Sequence, residues 1–96
     1  MNFIIGSAVK IQCEIDSDQV DDTTLTLESL KDPDGTELAN SDAMPFGSGD
    51  TANIGSVVWQ SVSGTNPIGR YTYIIKAENI SNESFEKGYF NLVART

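Results

Sequence analysis

Histidine is missing from all 96 residues, and cysteine occurs once, as Cys13. The first absence removes the commonest general base, the commonest zinc ligand and the usual switch near neutral pH. The second excludes an intrachain disulfide, and with it the stapled framework of small secreted domains. A reduced chain fits folding in a cytoplasm. Basic residues are scarce, six against 14 acidic ones, for a net charge of −8. That field repels phosphate backbones and anionic surfaces, so neither nucleic acid nor membrane is an expected partner. No apolar run approaches the length of a membrane span. The run Phe3-Ile4-Ile5 is too short for a signal peptide and lacks a basic start. A sustained helical period is absent as well.

What remains is period-two alternation. In Ala8 to Ile15, Val9, Ile11, Cys13 and Ile15 share one face and Lys10, Gln12 and Glu14 the other, as in a half-buried strand. Phe3 to Ile5 is expected as a short edge strand before a turn at Gly6-Ser7. Thr23 to Lys31 carries Leu25 and Leu27 in phase but Leu30 out of it. One extra residue near Glu28-Ser29, a β-bulge, would bring all three inward. Asp32-Pro33-Asp34-Gly35 is a turn by composition. A short strand, Thr36 to Ala39, follows it, and then a loop from Asn40 to Asp50. Further strands are expected at Asn53 to Val62, Arg70 to Ala77 and Phe85 to Val93, with a polar hairpin loop over Asn79 to Ser84. Six to seven short strands with turns between them define an all-β chain, a sandwich or barrel. At 39% hydrophobic residues and this length, the chain forms one domain over residues 1–96.

Candidates for chemistry are few. Cys13 has no histidine partner, and its parity turns it inward, so a buried structural thiol is expected. Asp16, Asp18, Asp21 and Asp22 offer the oxygen ligands that calcium uses, joined by Asp32 or Asp34 if the loops meet at one end of the sandwich. The spacing matches no EF-hand, and a solvated loop plus a turn is the favoured reading. Calcium is thus allowed but not expected, no cofactor is expected, and no metal ligand is assigned. Acids placed in loops and on outward positions do not suggest an enzyme. Asn79-Ile80-Ser81 and Asn82-Glu83-Ser84 match the glycosylation sequon, but such residues equally suit a hairpin loop. Val58, Ile74 and Tyr89 fall on outward positions. With Phe3, Ile4 and Ile5 at the edge, they are the candidate partner-binding residues, and they leave self-association open.

Four stretches occur in order: Gly6 before a strand, Lys31-Asp32-Pro33-Asp34-Gly35, Pro67-Ile68-Gly69-Arg70-Tyr71-Thr72-Tyr73, and Glu86-Lys87-Gly88-Tyr89-Phe90. Together they resemble the small immunoglobulin-like domains of tailed-phage virion proteins and prokaryotic surface proteins. Tyr71 after Gly69 resembles the tyrosine corner of that fold, whose hydroxyl ties a loop to a strand. Tyr73 stands where an antibody-type domain would carry its second cysteine, so the likeness is to the sandwich and not to the antibody domain. The resemblance implies an immunoglobulin-like antiparallel β-sandwich with a structural, non-enzymatic role. That role would be capsid decoration or cementing, or attachment at neck or tail, with virion proteins as partners and assembly in the host cytoplasm. The alternative it implies is an adhesion or carbohydrate-binding module on a virion or an extracellular surface.

Overall fold

The alternation is realised as strands in a computed structural model that describes residues 2–95. Seven strands are found: β1 (Asn2–Ile4), β2 (Ala8–Glu14), β3 (Thr24–Lys31), β4 (Glu37–Ala43), β5 (Ile54–Gln60), β6 (Gly69–Glu78) and β7 (Glu83–Val93). They form a five-stranded sheet in the order β1-β7-β6-β3-β4 and a two-stranded sheet, β2-β5. The chain is all-β, as expected, but not wholly antiparallel, because β1 runs parallel to β7. The cause is local. Gly6, at φ 98°, turns the chain across to the other sheet instead of back along its own. Buried Ser61 holds that crossing, its hydroxyl accepting from the Gly6 N–H at 2.9 Å and donating to the Ser7 carbonyl at 2.7 Å.

The bulge in β3 falls where the leucine phase requires it. Leu27 faces Ile75 and Ser29 faces Ile74, so Glu28 has no partner on β6. Leu25, Leu27 and Leu30 consequently all point into the core. The segment from Asn40 onward differs from expectation. Its first part extends β4 to Ala43, Met44 is a buried core residue, and Phe46 bridges to Gly55. Polar Asn40, Ser41 and Asp42 hide this strand from a composition-based reading, since an outermost strand needs little apolar surface. Ser17–Asp22, expected as loop, coils into a 3-10 helix with no buried residue.

Aromatic rings join the sheets. Trp59 of β5 sits 5.4 Å from the Tyr71 ring of β6, which stacks on Phe90 of β7 at 5.2 Å and 10°. Phe3 meets Phe90 edge-on at 5.8 Å. Tyr71 is fully buried, and its hydroxyl donates to the Pro67 carbonyl at 2.6 Å. That bond fixes the loop before β6, as a corner tyrosine does. Gly69 opens the strand at φ 134°, and a β-carbon there would lie 2.8 Å from Pro33 Cγ. Only glycine lets β6 start against the Asp32–Gly35 turn.

Removing the Tyr71 hydroxyl strands the Pro67 carbonyl. Tyr71→Phe should lower unfolding stability by about 1–2 kcal/mol in urea titrations. Burial first, then the Asp32 and Asp34 carboxylates, raise the Tyr71 pKa above its ordinary 10.0. The folded chain therefore keeps a proton that the unfolded chain releases above pH 10, so stability should fall with pH there. The same titrations above pH 10 should show a shallower fall in the phenylalanine variant.

Candidate functional site

Side chains opposite the core line the outer face of the five-stranded sheet. Cross-strand register sets two rows on it. Lys31, Thr72 and Tyr89 form one, and Ser29, Ile74 and Lys87 the next, over β3, β6 and β7. Arg70 lies on the same parity as Thr72 and Ile74, and its guanidinium carbon is 4.5 Å from the centre of the Tyr89 ring. This cation–π contact holds the arginine flat over an exposed aromatic. Around these residues the face dips into a recess of about 440 Å³. Below it, Lys76 reaches Glu28 Oε2 at 3.8 Å, beyond hydrogen-bond range. The β-bulge places that carboxylate there.

Lys31, Arg70, Lys76 and Lys87 thus share one face, four of the six basic residues in a chain of net charge −8. Only Lys76 has an acidic partner among the described residues. Lys31, Arg70 and Lys87 surround Ile74 and Tyr89, and no carboxylate lines the recess. Chemically, it suits a ligand with negative groups spaced around an apolar or planar centre.

The expected partner-binding residues divide. Ile74 and Tyr89 do come together, and Tyr89 is 53% exposed. Val58 does not join them. It faces out from the other sheet, opposite Lys10, so of the three outward residues only two meet. The Phe3-Ile4-Ile5 arm is corrected. Ile4 is exposed, but Phe3 turns in against Phe90 and Ile5 belongs to the core. Its N–H is bonded to the Val93 carbonyl at 2.9 Å. The basic residues escaped sequence reading because they come from three separate strands. Only strand order makes Arg70 a neighbour of Lys31 and Lys87.

The acidic loops do not meet. Residues 16–22 lie before β3 and Asp32 and Asp34 after it, and eight extended residues separate the two ends by roughly 25 Å. Asp32 Oδ1 accepts from the Asp34 and Thr36 N–H groups, both at 2.9 Å, so its carboxylate shapes the turn. Among the described residues no three His, Cys, Asp or Glu side chains gather as a metal-binding group. Asn79 Oδ1 likewise accepts from the Ser81 and Asn82 N–H groups in the β6–β7 hairpin.

Cys13 is half-buried instead of buried, because the sandwich is open at its flank. Its thiol donates to Glu86 Oε2 at 3.6 Å. Burial raises its pKa most, followed by the charge and the hydrogen bond of Glu86. No protein-family model matches the chain, and neither a curated protein nor a solved structure shows significant similarity to it.

A thiol held protonated reacts slowly with disulfide reagents. Glu86→Gln removes the nearby negative charge, so Cys13 should react faster with an aromatic disulfide at pH 8 than in the unaltered chain. An unchanged rate would show that Glu86 does not control the thiol.

Proposed function

We propose that the chain is a non-enzymatic, immunoglobulin-like binding module that docks onto a larger protein assembly. In this reading it decorates or cements a virion capsid, or attaches at the neck or tail. Strand order supports the immunoglobulin-like part. β7-β6-β3-β4 facing β2-β5 follows the G-F-C-C′ and B-E arrangement of such sandwiches, with β1 as an added edge strand. The Tyr71–Pro67 bond supports it further. The observation that carries the docking part is the recess of Lys31, Arg70 and Lys87 around Tyr89 and Ile74, on a chain otherwise strongly acidic. Negative charge elsewhere keeps the chain soluble, while this one face attracts a negatively charged partner surface. Exposed aromatic and arginine side chains are the types that anchor protein interfaces.

The adhesion or carbohydrate-binding alternative draws on the same feature, since an exposed tyrosine can stack on a sugar ring. The Arg70 guanidinium already covers one face of the Tyr89 ring, which favours a protein partner.

Purified particles should contain the chain at a symmetric copy number by mass spectrometry. The double variant Lys31→Glu with Lys87→Glu should dock on particles about tenfold more weakly or worse, and docking of the unaltered chain should weaken with salt. Val58→Glu, on the other sheet, should dock normally. A chain absent from particles, or a double variant that docks as well as the original, would overturn the proposal.

A further inference from the structure

The two-stranded sheet has a backbone edge that nothing among the described residues covers. Ser61 N–H donates to the Ser7 carbonyl, and Ile15 N–H to the Asn53 carbonyl. With the register of β2 on β5, these bonds mean that odd residues of β2 bond inward to β5. The N–H and C=O groups of Ala8, Lys10 and Gln12 therefore point away from it, and among the described residues they find no partner. The other edges are short or obstructed, β1 being only three residues long. Ser41, at φ 59°, kinks β4. Segment 45–47 bonds to the outer side of β5, through Ser56 N–H to the Pro45 carbonyl and Gly47 N–H to the Ile54 carbonyl. Among the described residues β2 is the longest edge left open, seven residues with an unbroken register.

A second observation points to the same flank. Phe3, Cys13, Ile15 and Tyr73 face the core but are only partly buried. Beside β2 lies a slot of about 160 Å³ lined by Phe3, Tyr73 and Phe90 among other apolar and aromatic residues, together with Lys10 and Gln12 of β2 itself. Gly88 lets the Tyr73 ring lie against β7, since a β-carbon there would overlap that ring. One copy alone leaves this side of its core incompletely closed.

We propose that β2 pairs antiparallel with β2 of a second copy, making one four-stranded sheet, β5-β2-β2-β5, across the two. Charge selects the register. The outward groups require even residues to face even residues. A two-fold axis at Gln12 sets Lys10 opposite Glu14 of the second copy, twice. On the inner face it sets Val9 opposite Ile15 and Ile11 opposite Cys13. An axis at Lys10 or at Glu14 would oppose like charges, and one at Val9 or Ile11 would leave both charges unmatched; one at Cys13 would match Lys10 only with Asp16, beyond the end of β2, and would set Val9 against Ser17 at the start of the 3-10 helix. Only the Gln12-centred pairing satisfies backbone, charge and apolar face together. This pairing uses the flank and the two-stranded sheet, and so does not rest on docking through the five-stranded one.

Sedimentation equilibrium of the full chain tests it. A concentration-dependent dimer is expected. Lys10→Glu and Glu14→Lys each put like charges together twice, and each should weaken the dimer about tenfold or more. The double swap, Lys10→Glu with Glu14→Lys, restores opposite charges and should return the dimer to within about threefold of the original. Gln12→Pro deletes an N–H that β5 does not use, and should give a monomer with an unchanged far-ultraviolet spectrum. A chain that stays monomeric up to about 1 mM, below which a useful edge pairing must act, overturns the proposal. So does a dimer indifferent to the single swaps, or one that the double swap fails to restore.

Discussion

Trp59, the one tryptophan of the chain, reaches from the two-stranded sheet onto a stacked pair, Tyr71 and Phe90, in the other. Two strands alone make a marginal sheet in water. β2 and β5 hold their shape because their inner side chains rest on this aromatic layer, with Val9, Ile11, Leu27 and Leu30 filling around it. Burying each such ring contributes roughly 1.5–3 kcal/mol. The Tyr71 hydroxyl extends the same layer outward to the Pro67 carbonyl. One ring therefore links sheet packing to the placement of a loop, without a disulfide.

With the core closed by these rings, the outer faces are free to differ, and they do. The outer face of the two-stranded sheet carries Lys10, Glu14, Val58 and Gln60 in no pattern of one sign. The five-stranded sheet gathers four cations and its exposed aromatics instead. Sheet order produces this concentration. β3, β6 and β7 are adjacent, and each presents basic residues on its outward parity. A strongly acidic chain does not collect its few cations on one face for solubility, which net charge already supplies.

Much of the fold is legible in the sequence, because a half-buried strand writes its faces into alternate residues. The β3 bulge follows from the phase of Leu25, Leu27 and Leu30 alone, and the inward course of Tyr71 from its alternation with Thr72 in β6. β4 is illegible past Ala39, since Asn40, Ser41 and Asp42 belong to an outermost strand held by backbone bonds to β3. The parallel course of β1 is equally hidden, because three residues state that they extend, not which strand they join. The candidate site is the least legible part. Ile74 and Tyr89 read as outward from parity, but their cationic surroundings depend on strand order. Val58 reads as outward by the same rule, and nothing in its own strand says that it lies on the far side of the molecule.

If the aromatic layer holds the sheets as one body, then losing it and losing the strands are a single event. Urea unfolding followed in parallel by Trp59 emission and by far-ultraviolet circular dichroism measures this directly. The two signals should coincide in midpoint and steepness, in the unaltered chain and in a destabilised one such as Leu30→Ala. A red shift of Trp59 emission at lower urea, with the strand signal still intact, would contradict it. The two-stranded sheet would then separate before the five-stranded one unfolds.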